Sequence, residues 1–127
     1  MGQRIQISQS GDIKWMTAWL TTRKQEVPML HADGSAMMSH GDMAAMPGML
    51  TAEQMKALDA ARDGKFDELF LTGMIQHHKG ALTMVRELRA AGGGLEPNIG
   101  AFVSGVDNDQ QMEIVRMYGL LGRPVER

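Results

Sequence analysis

Apolar positions along residues 66–91 recur at alternating gaps of four and three. Asp67, Leu71, Met74, His78, Ala81, Val85 and Leu88 fall on one line, the spacing of a seam between packed helices. The pattern predicts a helix from about Phe66 to Ala91, stopped by Gly92-Gly93-Gly94. A second seam follows, through Ile99, Val103, Val106, Gln110, Glu113, Met117 and Leu120. Pro97 suits the first turn of that helix, which should run to about Leu121 before Gly122 and Pro124. Upstream, "LTAEQMKAL" carries a capping box, with Thr51 as N-cap and Gln54 at N3. Leu50 and Met55 stand where a hydrophobic staple would form, and this short helix should end near Asp63-Gly64.

The N-terminal segment repeats the pattern of the last helix. Residues 5–20, "IQISQSGDIKWMTAWL", align without gaps on residues 106–121, "VDNDQQMEIVRMYGLL". Gln9 meets Gln110, Asp12 meets Glu113, Ile13 meets Ile114, Met16 meets Met117 and Leu20 meets Leu121. Two polar positions match as well as the apolar ones, which favours an internal duplication over a chance likeness of seams. The chain then reads as one domain of one and a half repeats. A helix over 4–25 belongs to an incomplete first half, 26–50 is a methionine-rich connector, and 51–121 is a complete second half. The expected fold class is all-α, a helical bundle. A missing helix leaves an apolar face that a second chain could cover, so a homodimer is expected.

Composition narrows the chemistry. At 127 residues the chain suits one modest core, and a net charge of −2 with scattered Lys and Arg gives no footprint for nucleic acid. There is no apolar run long enough to span a membrane, and "MGQRIQISQSGD" contains no hydrophobic signal core. With no cysteine, disulfides, thiolate metal sites and cysteine nucleophiles are excluded. Thirteen methionines are the main oddity. Thioethers serve equally as adaptable packing and as ligands for soft metals.

Two places concentrate that choice. In "FDELFLTGMIQHHKGALTMV" (66–85), His78 lies on the seam one turn beyond Met74. His77 lies on its flank, on the side of Gly73, Ala81 and Met84. The small residues at 73, 80 and 81 would let another segment approach closely. Adjacent imidazoles bracketed by Met74 and Met84 match copper better than most metals. The plainer reading is one buried histidine bonded to Gln110 or Glu113 and one exposed histidine. Asp67, Gln110 and Glu113 are polar at positions that should be apolar, either as a network fixing register or as an outer shell orienting a histidine ligand.

The second place is "MMSHGDMAAMPGM", 37–49. Of Met37, Met38, His40, Met43 and Met46, three thioethers, or two and the imidazole, could close on one Cu(I), with Gly41 and Gly48 supplying backbone freedom. "MPGM" itself reads as a structural junction leading into the capped helix. A ferritin-type di-iron centre wants two Glu-x-x-His pairs, and there are none. Nor is there a G-x-S-x-G, an H-E-x-x-H or a phosphate-binding glycine loop.

Taken together, "MPGMLTAEQMKAL", the His-His helix and "QQMEIVRMYGLL" resemble a bacterial domain-of-unknown-function family. That family has a ferritin-like helical fold and includes CopM-type periplasmic copper-binding proteins. The motif positions are Asp67, Phe70, Met74, Ile75, His77, His78, Ala81, Met84, Gln110, Glu113, Ile114 and Met117. The resemblance implies a secreted or periplasmic protein that binds copper through Met and His. The resulting expectation is a non-enzymatic protein that sequesters or transfers copper, Cu(I) above Cu(II). Its rivals are a metal-free interaction module with an adaptable methionine surface and, third, a copper-dependent oxidoreductase.

Overall fold

A computed structural model describes residues 1–25 and 46–126. The described residues form four helices and no strand: α1 Gly2–Thr22, α2 Ala52–Ala60, α3 Asp63–Ala90 and α4 Pro97–Leu121. The all-α class expected from periodicity is the one found. The chain divides into two compact units, Met1–Gly41 and Asp42–Arg127.

The first unit contributes α1. Its last turn is closed by its own side chains, with Thr22 Oγ1 donating to the Ala18 carbonyl at 2.8 Å. The Arg23 guanidinium lies 4.0 Å from the centre of the Trp19 ring, a cation–π contact that covers the indole face.

In the second unit α3 is the central element, packed against both α2 and α4. The Thr51–Gln54 capping box is complete: Thr51 Oγ1 accepts from the Gln54 amide at 3.1 Å, and Gln54 Oε1 accepts from the Thr51 amide at 2.8 Å. The break between α2 and α3 comes earlier than Asp63-Gly64. Ala61 and Arg62 take extended backbone, and Arg62 Nη1 donates to the carbonyls of Asp59 and Ala61 at 2.7 Å each. An arginine thus satisfies the carbonyls that a glycine C-cap would otherwise leave to a turn. α4 keeps the expected bounds, with Pro97 in its first turn and Gly122 in the left-handed region at φ 66°.

The α3–α4 core holds Leu71, Ile75, Val103, Ile114, Met117 and Tyr118, with His78 and Gln110 buried among them. The middle of each expected seam is inside. The ends are not: Asp67, Leu88 and Leu120 are exposed. A strict 3.5-residue line drifts by roughly 20° per heptad around a 3.6-residue helix, so end positions rotate off the contact. Ile75, Ile114 and Tyr118 widen the buried stripe in compensation.

Candidate metal site on helix 3

One side of α3 is met by the chain just before α2. Met46-Pro47-Gly48-Met49 is a β-turn, closed by the Met49 amide donating to the Met46 carbonyl at 3.3 Å. Proline at the second position and Gly48 at φ 81° are the type II pattern. The turn sits directly on the backbone of α3. A Cβ on Gly80 would overlap the Pro47 carbonyl and Gly48 Cα, and one on Gly48 would lie 2.9 Å from the carbonyl oxygens of both Gln76 and His77. Glycine on both sides is what permits this approach. Two residues on, Leu50 fills the space over Gly73, and Gln76 Nε2 donates to the Met49 carbonyl at 3.2 Å. The small residues at 73 and 80 therefore receive this junction, as their spacing suggested. Leu50 leans on α3, while its staple partner Met55 is about half exposed at 51%.

The two histidines occupy opposite environments. His78 is fully buried. Its Nδ1 donates to the Met74 carbonyl at 2.8 Å, since a carbonyl can only accept. Its Nε2 meets Glu113 Oε2 at 2.5 Å, a short bond across α3 and α4. Both ring nitrogens are thus engaged, and ligation through Nε2 would require the Glu113 bond to open. Gln110 is buried one turn before Glu113, while Asp67 stands exposed near the start of α3 and makes no part of this pair.

His77 keeps an exposed edge. Desolvation by burial of the rest of the ring, and then the charge of His78, hold its pKa below the ordinary 6.5. The ring is therefore neutral near pH 7, with a lone pair available. The ring centres of His77 and His78 are 6.4 Å apart at 66°. Met74 precedes His77 by three residues, the spacing of side chains that meet on a helix surface. Met84 is exposed at 37%, two turns further on. Met46 is held beside this stretch, because a β-turn keeps it within about 7 Å of Met49.

Met37, Met38, His40 and Met43 lie outside the described residues. Among the described residues no three of His, Asp and Glu converge into a metal-binding group. The anchoring turn was only half legible in the sequence. "MPGM" advertised a junction, but its seat on Gly80 is a contact across more than thirty intervening residues.

No curated protein and no solved structure matches the chain. A family model described as "Domain of unknown function (DUF305)" matches residues 1–121, nearly the whole length, and the chain belongs to that family.

Proposed function

We propose that the protein binds copper, preferentially Cu(I), to sequester or transfer it, with His77 as the nitrogen ligand carried by the helix. The observation that supports this most is the seat of the 46–49 turn on α3. It delivers the end of the methionine-rich segment to the turn of helix that carries a neutral, accessible imidazole. Met74, one turn before His77 on α3, and Met46, at the start of the seated turn, are the thioether donors we assign, with Met84 further along. In the connector, Met37, Met38, His40 and Met43 are assigned as a second set of soft ligands. Imidazole and thioether together select a soft ion over magnesium or calcium. His78, Gln110 and Glu113 form the packed base from which His77 projects, and His78 becomes a ligand only if its bond to Glu113 opens. The location we assign is secreted or periplasmic, on the likeness to CopM-type proteins.

A homodimer that completes a ferritin-like bundle belongs to the same reading. Ile13 and Met16 on α1 are 38% and 40% exposed, although their counterparts in the duplicated pattern are core residues. The rival, an interaction module without metal, draws on Met112 and Val115, which are 66% and 54% exposed on α4.

The deciding experiment is a competitive Cu(I) titration under reducing conditions on wild type, His77→Ala and a Met37/Met38/Met43/Met46→Leu variant. His77→Ala should weaken binding by about tenfold or more, as loss of one strong ligand or its support does, and the methionine variant should weaken it further. Wild type and His77→Ala of equal, weak affinity would remove the helical site and leave the interaction module. Sedimentation of the same samples reads the dimer, which a monomer at high concentration excludes. Oxygen-dependent turnover of a reductant by the loaded protein would instead mark an oxidoreductase.

A further inference from the structure

We propose that a second site, a cleft between α3, α4 and the 46–49 turn, binds a small organic monocarboxylate through Lys79 and Tyr118. The cleft encloses about 480 Å³, within the usual range for small-molecule sites, and His77 does not line it. Lys79 Nζ donates to the Tyr118 hydroxyl at 2.7 Å and stands 5.2 Å from the centre of that ring. Lys79 is partly buried and Tyr118 almost wholly so. Among the described residues no carboxylate pairs with this ammonium. A partly desolvated cation without a counter-ion is costly, and an anion entering the cleft would relieve that cost.

The donor inventory defines the ligand. Lys79 spends one N–H on Tyr118 and keeps two. Tyr118, having accepted, still has its own proton to donate. These donors stand side by side, matching the two oxygens of a carboxylate. Thr72 and Thr83 also line the cleft, but their hydroxyl protons go to the carbonyls of Glu68 and Lys79. Arg123 is drawn away to Glu68 at 3.2 Å. Among the described residues of the lining, Lys79 is the cation without a carboxylate partner, which suits a monoanion better than phosphate, and the Glu126 carboxylate on the lining opposes higher charge. Ile75 and Leu121 give the cleft an apolar wall, which fits a ligand with a short hydrocarbon body.

The test is titration of ¹⁵N-labelled protein with butyrate, with butyramide as the uncharged isostere and inorganic phosphate as the competing anion. Butyrate should give saturable shifts at the amides of Thr72, Lys79, Thr83 and Tyr118, and butyramide should bind about tenfold more weakly or worse, the worth of a charge-assisted bond. Lys79→Met should weaken butyrate by a similar factor and Tyr118→Phe by less, while Glu126→Gln should tighten it. Should Lys79→Met fail to fold, the butyramide and Glu126→Gln arms still decide. The assignment is overturned by no saturable shift at millimolar butyrate, by butyramide or phosphate binding equally well, or by a folded Lys79→Met that binds undiminished.

Discussion

His77 and His78 are neighbours in the chain and about 100° apart around α3, yet they face two unlike regions. Behind His78 lies the α3–α4 seam, where every polar atom of the ring has a partner and no water reaches it. Beside His77 lies the face that receives the 46–49 turn, where contact is backbone on backbone and the imidazole stays reachable. A buried polar pair binds two helices at one register, because sliding either would strand a proton donor in apolar surroundings. A histidine at the edge of a glycine-to-glycine contact gains no such bond among the described residues, and its exposed edge stays open to chemistry. The same residue type thus serves structure on one side and is available for ligation on the other.

The strongest way to break this contrast is to remove Glu113. Glu113→Ala strands the buried imidazole and should cost about 3 kcal/mol of stability, the scale for breaking one half of a buried pair. Glu113→Gln should cost clearly less, since its amide N–H can donate to Nε2 while Nδ1 keeps its bond to Met74. Urea unfolding at pH 7 compares the two. Equal losses would mean that the pair contributes volume rather than a specific bond.

A smaller effect probes the other face. Gly80→Ala places a methyl group against the Pro47 carbonyl and Gly48 Cα. Overpacking of that kind costs about 1–3 kcal/mol, against about 1 kcal/mol gained in helix propensity, so a net loss of up to about 2 kcal/mol is expected. Gly105→Ala on α4 is the internal reference, with nothing within 4 Å of the added carbon, and should be stabilising by up to about 1 kcal/mol. Amide exchange at residues 48–50 should quicken in Gly80→Ala alone. If Gly80→Ala stabilises like Gly105→Ala, the turn is not seated on α3 as described.

Much of the α3–α4 frame was legible in the sequence because its signals are local. Pro97 and Gly122 bound α4, Thr51 and Gln54 open α2, and the polar seam positions singled out both His78 and Glu113. What escaped was set by geometry between elements. Asp67, Leu88 and Leu120 left the seam through helical drift. The choice of Glu113 over Gln110 as the partner of His78 depends on how α4 is rotated against α3, which periodicity leaves open by a turn. The junction of Gly48 with Gly80 and the pairing of Lys79 with Tyr118 join residues more than thirty apart, and no spacing rule encodes them.

The smallest effect lies in the pH response of His77. Folding lowers its pKa, first through desolvation and then through the charge of His78. Between that lowered value and 6.5 the unfolded chain therefore binds more protons than the native one, and stability rises with pH across this window. The contribution is complete above about pH 6.5 and is lost as pH falls through the native pKa. His77→Ala should flatten the stability profile just below pH 6.5 and leave it unchanged above, with a difference smaller than either substitution above because the ring edge is solvated. The proton spectrum of His77 should titrate below 6.5 in the folded protein. A His77 that titrates at or above 6.5, or parallel profiles for wild type and His77→Ala, would place this ring in water like any surface histidine. The two faces of α3 would then differ only in packing, not in the electrostatics that leave His77 unprotonated at neutral pH.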